Sequence, residues 1–149
     1  ETRHSMAGFA YRFSPPSADA DPADGPLTLS GDTEAFAGMA SFADGSDLLV
    51  HDCSFPDDVD VSNHPTPTTL GESLAGVDVD TLLLSHLYPH TGGREREMAR
   101  SVREAGFDGD VEVASDGLRI AIAERAESPG QGATTGGDET GNTDETDET

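Results

Sequence analysis

Histidine and aspartate side chains stand where several strand-like stretches of this sequence end. LLLSHLYPH runs from aliphatic residues into His86 and His90, and DLLVHD closes on His51 and Asp52. LTLSGD leads in the same way to Asp32. In α/β folds the carboxyl ends of parallel strands meet at one edge of the sheet, and the loops there carry the chemistry. These side chains are therefore predicted to lie close together.

Such a set of groups is typical of a metal site. Imidazole nitrogens and carboxylate oxygens suit zinc, or manganese and iron where oxygen ligands prevail. A divalent ion held by them would lower the pKa of a bound water to about 7 and provide hydroxide for hydrolysis. A single histidine at a strand end is more often structural, so the prediction depends on several strands ending alike. His64, in the loop between the second and third of these strands, is a further candidate.

Short apolar runs separated by turn residues predict the elements that must position these groups. Alternation with a period of two indicates strands, and apolar residues three or four apart indicate helices. Strands are predicted over 7–13, 27–30, 47–52 and 80–86, with a closing hairpin over 111–123 that turns at Asp116 and Gly117. Helices are predicted over 33–43 with Thr33 as cap, over 67–76, and over 92–106 with Gly106 as stop. Strands alternating with helices predict an α/β fold with parallel neighbours.

The sequence divides into one predicted domain, residues 1–126, and a terminal segment, residues 127–149. The terminal segment contains no large apolar residue and repeats the letters DET. It cannot bury enough apolar surface to offset the entropy lost on ordering. It is therefore predicted to be a disordered acidic tail.

Charge is the strongest global feature of the chain. Asp and Glu number 30 against 8 basic residues, all of them arginine, which gives a net charge of −22. This charge repels nucleic acid and anionic membranes unless a local patch overrides it. The acids are spread along the chain, which favours adaptation to a high-salt cytoplasm over one cationic partner. No apolar run reaches the roughly 20 residues that cross a bilayer, so no membrane association is predicted, and the lone Cys53 excludes an internal disulfide.

The order of the motifs resembles the C-terminal half of the metallo-β-lactamase-fold hydrolases, closest to their ribonuclease Z-like branch. The resemblance covers roughly residues 4–123 and runs through LTLSGDT, HDCS, HPTP, LLLSH and VEVASDGLRIAI in that order. It implies half of an αββα sandwich, with a mixed sheet and flanking helices. It also implies a metal-dependent hydrolase that acts on a phosphodiester or an ester.

The resemblance assigns roles to named residues. It implies that Asp32 of the GDT corner bridges two divalent ions, zinc or else manganese or iron, and that His86 binds the second. HDCS and HPTP stand where the tRNA-processing members carry HEAT-like and HST-like boxes. Asp52 and His64 would then form a pair that transfers a proton or stabilises the transition state. His51 would be structural.

Two departures from the family pattern bear on the substrate. Asp52 replaces a glutamate, which shortens the side chain by one methylene, and HLYPH replaces HxSxRY. RNA, a small phosphodiester, an ester and a lactone all stay open as substrates. His4 resembles a histidine that often precedes the first strand in the family, and a loop or capping role is expected for it. His90 either replaces a family arginine that grips phosphate or faces solvent, and the second is expected.

The HxHxDH motif of the family is missing, because none of the five histidines forms an H-x-H pair. Without it the ions would keep too few protein ligands, so the chain alone is predicted to be inactive. We expect a fragment of a longer gene product or a chain that joins a partner carrying the other half, and its open sheet face could also form a homodimer. The alternative from another class is a non-catalytic α/β binding or interaction module with structural histidines.

Overall fold

A single mixed sheet organises the chain. The computed structural model describes residues 1–14, 25–59 and 62–120. Within them five strands lie in the order β1-β2-β3-β4-β5. Their bounds are β1 Tyr11–Phe13, β2 Leu27–Leu29, β3 Ser46–Asp52, β4 Val79–Ser85 and β5 Asp110–Val113. β1 pairs with β2 antiparallel and the other neighbours pair parallel, which confirms the mixed α/β architecture predicted from the sequence.

Three helices connect the parallel strands. They are α1 Ala37–Ala43, α2 Pro67–Leu74 and α3 Glu95–Glu104, and a 3₁₀ turn spans Pro89–Thr91. α2 begins at a capping box in which Thr66 and Thr69 each accept a hydrogen bond from the other's backbone N–H. α3 ends just before Gly106, whose φ of 119° turns the chain away from the helix as predicted.

The core lies between one face of the sheet and the helices. On that face Leu49, Leu82 and Val111 are register neighbours on β3, β4 and β5, and all three are buried. Helical side chains cover them, and these belong to the same buried cluster. The principal helical members are Met39, Leu70, Leu74, Met98 and Val102.

The opposite face of the sheet is covered less completely. Leu29, Val50 and Leu83 are register neighbours across β2, β3 and β4, and each is only half-buried. At the β1 edge, Tyr11 and Phe13 are more than half exposed. This open face is defined here by the side chains of Leu29, Val50 and Leu83.

Two boundaries near the amino terminus differ from the sequence-based prediction. The helix expected to begin at a Thr33 cap begins at Ala37 instead. The reason is that the Thr33 N–H donates to Asp52 Oδ2 at 3.2 Å, and Thr33 Oγ1 accepts from the Arg3 N–H at 2.9 Å. Thr33 therefore ties a loop to the sheet edge and caps no helix. The first strand is also shorter than the predicted 7–13 and covers Tyr11–Phe13.

The described residues contain only part of the predicted closing hairpin. β5 ends at Val113, and the Ala114 N–H continues its pairing by donating to Leu84 O at 2.9 Å. The chain turns at Asp116 and Gly117 as predicted, but no return strand forms through residue 120. Leu118, the first residue of the predicted return strand, is exposed. The end of the predicted hairpin, 121–123, and the predicted tail, 127–149, lie outside the described residues.

The helices of the described residues include no candidate for a membrane span. None of them is long and apolar enough to span a bilayer, and α3, with 10 residues, is half the length that a span requires, about 20 residues.

Gly71 controls how closely α2 and α3 approach. A Cβ at this position would overlap the carbonyl oxygen of Val102 and lie 2.8 Å from the Cβ of Ala105. We expect Gly71→Ala to lower the free energy of unfolding by about 1–3 kcal/mol, because backbone cannot yield as a flexible side chain can. This loss outweighs the gain in helix propensity, which is about 1 kcal/mol.

Chemical denaturation in concentrated KCl measures this effect. Glu72→Ala, at the next and solvent-exposed position of α2, is the matched control and should change stability little. An equal or higher stability of Gly71→Ala would contradict the close packing of the two helices.

Candidate functional site

The side chains predicted to do chemistry converge at the carboxyl edge of β2, β3 and β4. Asp32 follows β2, Asp52 ends β3 and His86 directly follows β4. His64 lies in the loop that precedes α2. Parallel pairing places these strand ends side by side, since Asp52 is the register partner of Ser85. The structure therefore brings together the four residues that the sequence singled out.

Asp52 and His64 form the tightest contact of the site. Asp52 Oδ2 lies 2.6 Å from His64 Nδ1, and the carboxylate is buried with 1% of its side chain exposed. The same oxygen accepts the Thr33 N–H, and Oδ1 accepts the Ser54 hydroxyl at 2.6 Å. The Asp52 backbone N–H in turn donates to Ser30 Oγ at 3.0 Å. Both carboxylate oxygens are thus engaged, although the side chain is one methylene shorter than glutamate.

Asp32 and His86 face each other at the solvent side of this pair. Asp32 Oδ1 lies 3.7 Å from His86 Nδ1, and 51% and 38% of the two side chains are exposed. An exposed carboxylate beside an exposed imidazole ring is compatible with a shared divalent ion, which the ring would bind through Nε2 when its Nδ1 carries the proton.

A different trio also has the spacing of a metal site. Donor atoms of Asp52, His64 and His86 all lie within 4.8 Å of one another. Hydrogen bonds to its surroundings already engage both oxygens of Asp52, whereas Asp32 is half-exposed. Asp52 is therefore held by hydrogen bonds within the protein, whereas Asp32 presents its carboxylate to solvent.

The backbone around His86 has an unusual conformation. Its φ is 59°, in the left-handed region that few residues other than glycine adopt. Two backbone hydrogen bonds bracket this turn: the Cys53 N–H donates to Ser85 O at 3.0 Å, and the Tyr88 N–H donates to Ser54 O at 3.1 Å. They lock the segment after β4 onto the segment after β3, so the imidazole is directed into the site.

Aromatic rings form one wall beside the site. Phe55 and Tyr88 stack with centroids 4.8 Å apart, and the Tyr88 ring meets His86 edge-on at 5.5 Å. Phe55 is buried and Tyr88 is 42% exposed. His90 is exposed and its ring centroid lies 5.8 Å from that of Phe55.

The other two histidines are held by the backbone. His4 Nδ1 accepts the Met6 N–H at 3.3 Å, in keeping with a role in its loop, while its ring lies 5.2 Å from that of His64. His51 is buried, and its Nδ1 donates to the carbonyl oxygen of Asp52 at 2.8 Å. Burial lowers the pKa of His51 below 6.5.

We expect His51 to make stability depend on pH. Below about pH 6.5 His51 binds a proton in the unfolded chain but stays neutral in the folded chain, where its pKa is lower. Its contribution to stability is therefore full above pH 6.5 and falls as the pH decreases from there. One such group contributes a slope of up to about 1.4 kcal/mol per pH unit. His51→Gln should show a shallower loss of stability below pH 6.5, measured by denaturation at fixed salt. His90→Gln, at an exposed position, should keep the slope of the unchanged protein; equal slopes for both variants would contradict the prediction.

Sequence reasoning missed Ser54 and Thr33 as parts of the site. Ser54 is fully buried, and its hydroxyl contacts Asp52, His64 and His86. Its only signal was its position two residues after Asp52 in HDCS. Thr33 was assigned to a helix start, although it directly follows the GD corner.

Known proteins resemble this chain in sequence and in fold. No family model matches the chain. Ribonuclease Z of Halobacterium salinarum is 32% identical over 110 residues, which cover 70% of this chain and 35% of that protein. Ribonuclease Z of Haloferax volcanii is 30% identical over 114 residues, 74% of this chain and 35% of that protein. The chain spans about a third of the length of these curated relatives.

A solved structure shows the same fold. The metallo-β-lactamase fold protein YhfI from Bacillus subtilis matches 78% of this chain and 44% of its own, with a TM-score of 0.64 and 24% identity. The chain thus has part of the metallo-β-lactamase fold and is similar in sequence to ribonuclease Z of haloarchaea, which confirms the resemblance predicted from its motifs.

Proposed function

We propose that this chain supplies part of the active site of a metal-dependent hydrolase of the ribonuclease Z type. Asp32 and His86 would hold divalent metal, with zinc as the first choice and manganese or iron as alternatives. The single observation that carries the proposal is the convergence at one sheet edge of two pairs. Asp32 and His86 lie 3.7 Å apart, and Asp52 and His64 lie 2.6 Å apart.

Asp52 and His64 suit proton transfer better than metal binding. A carboxylate only accepts hydrogen bonds, so His64 Nδ1 carries the proton of its contact with Asp52. This leaves His64 Nε2 as the nitrogen that gives or takes a proton, and the buried carboxylate stabilises the ring when it is charged. A bound divalent ion would supply a water with a pKa of about 7 at such a site. The chain's own contribution is to orient His64 and to hold its proton.

For the substrate we propose an RNA phosphodiester. The relatives are named ribonuclease Z, and the Tyr88 ring, 42% exposed beside His86, offers a face on which a base could stack. The net charge of −22 opposes binding of a polyanion at low salt, which supports a high-salt cytoplasm as the working solvent. Small phosphodiesters and esters are the alternatives to be tested.

We also propose that residues outside this chain complete the ligand set. A catalytic zinc takes three protein ligands, whereas Asp32 and His86 are two. The curated relatives are about three times as long as the matched region. The half-buried face of Leu29, Val50 and Leu83 is a surface on which further chain could pack. A second copy of this chain is the other candidate for that surface.

Metal uptake and hydrolysis test the proposal in two preparations. One is the chain as printed, and the other is the chain co-expressed with the product of the coding sequence directly upstream. In concentrated KCl, zinc or manganese binding is measured by calorimetry, and turnover is measured with bis(p-nitrophenyl) phosphate and with a short RNA. We expect weak metal binding by the chain alone, and metal-dependent cleavage of the phosphodiester by the larger preparation. Folded protein that binds no metal in either preparation would overturn the proposal and favour the non-catalytic interaction module.

A further inference from the structure

Ser54 joins the two pairs of the site through one hydroxyl group. Its Oγ lies 2.6 Å from Asp52 Oδ1, 2.9 Å from His86 Nδ1 and 3.3 Å from His64 Nδ1. Ser54 is buried with 0% exposure, so water does not compete for these contacts. The hydroxyl therefore contacts one carboxylate and two imidazole rings, and it has only one proton to donate.

Counting protons assigns the donor of each hydrogen bond. The Asp52 carboxylate can only accept, so the Ser54 proton goes to Asp52 Oδ1, which is also the shortest of its contacts. The lone pairs of Ser54 Oγ then remain for the imidazoles. His86 Nδ1 must consequently donate to Ser54 across 2.9 Å.

We propose that Ser54 is a positioning residue that fixes the tautomer of His86, with the proton on Nδ1 and the lone pair on Nε2. A divalent ion held by His86 would then be bound through Nε2, since Nδ1 keeps its proton. This inference rests on the proposed metal site, and it adds a residue to which neither the motifs nor the relatives gave a role. The same pattern, in which an outer hydrogen bond orients a ligating imidazole, is general in metal sites.

The backbone supports this role. The Tyr88 N–H donates to the carbonyl of Ser54 and the Cys53 N–H donates to the carbonyl of Ser85, so the peptide segments on both sides of His86 are tied to the Ser54 segment. The hydroxyl and the ring are therefore held in register before any ligand arrives. Loss of the hydroxyl removes the nearest acceptor for Nδ1 without removing the ring, since the carboxylate oxygens of Asp52 and Asp32 lie farther from Nδ1, at 3.5 Å and 3.7 Å.

His64 provides an internal control for the same experiment. Its Nδ1 lies 2.6 Å from Asp52 Oδ2 and only 3.3 Å from Ser54 Oγ, so Asp52 is its main partner. Removal of the Ser54 hydroxyl should leave the tautomer of His64 unchanged. A specific role of Ser54 thus predicts a change at one imidazole and not at the other.

Nitrogen NMR of the metal-free chain tests the inference directly. The protein is labelled with ¹⁵N-histidine and studied in concentrated KCl, at a pH where the imidazoles are neutral. Signals of His86 and His64 are assigned from His86→Gln and His64→Gln. We expect His86 in the unchanged chain to carry its proton on Nδ1. We expect Ser54→Ala to shift it to the Nε2–H form or to a mixture, and Ser54→Thr to restore the original form.

Zinc binding to the same three proteins gives a second readout. Ser54→Ala should weaken binding about 10–100-fold, the range for loss of an outer hydrogen-bond partner, and Ser54→Thr should recover most of it. Nε2–H in the unchanged chain, or a His86 tautomer that is the same in Ser54→Ala, would overturn the inference. Equal changes at His86 and His64 would also overturn it, because they would indicate a general loss of structure. The tautomer is read without metal, so a chain that binds no zinc would fail the proposed function and leave this assignment testable by itself.

Discussion

Asp32→Ala is expected to abolish metal-dependent hydrolysis by the preparation that shows it, and to weaken metal binding by more than about 100-fold. Loss of a residue that only hydrogen-bonds to a ligand lowers metal affinity about 10–100-fold, and Asp32 is proposed to contact the ion itself. The half-exposed carboxylate contributes little to the core, so the fold should survive. Calorimetry with zinc and steady-state turnover of the model phosphodiester measure the two effects.

Asp108→Ala is the matched control, because it removes the same charge from an exposed position away from the site. It should leave metal binding and turnover unchanged. If Asp32→Ala kept the metal content and the activity of the unchanged protein, the assignment of Asp32 as a ligand would be wrong.

His64→Ala should separate proton transfer from metal binding. We expect turnover to fall about 10²–10⁴-fold, the usual contribution of a general acid or base, while the metal content stays unchanged. The reason is that Asp52 holds His64 Nδ1 at 2.6 Å, which leaves Nε2 as the nitrogen that can give or take a proton. Metal content is measured by elemental analysis, and turnover with the same phosphodiester.

The control for His64→Ala is His90→Ala, which also removes one imidazole but at an exposed position. Its turnover should stay within a few-fold of the unchanged protein. Loss of metal in His64→Ala would mean that His64 is a ligand, as its distances to Asp52 and His86 would allow.

Strand ends were the part of the fold that the sequence predicted best. The bounds of β3 and β4 follow from the aliphatic runs before His51 and His86, because buried parallel strands consist largely of such runs. Parallel pairing then brings Asp52 and His86 to one edge. The proximity of the predicted site residues was thus a consequence of topology and required no knowledge of side-chain contacts.

Contacts between loops were the part that the sequence could not supply. Threonine is a common helix cap, yet the Thr33 N–H donates to the carboxylate of Asp52, which is distant in sequence. A tertiary contact thus overrode the local preference. Ser54 is one of many serines, and its role depends on two histidines that lie 10 and 32 residues further along the chain. Leu118, the first residue of the predicted return strand after β5, is exposed, and the end of that strand lies outside the described residues.

The left-handed turn at His86 affects the entropy cost of binding a metal ion. A side chain on a flexible loop loses rotamer and backbone entropy when it coordinates an ion. Here folding has already fixed the turn, through the backbone bonds of Cys53 and Tyr88 on either side of it. His86 is therefore preorganised, and we expect ion capture to require little reorganisation of this half of the site.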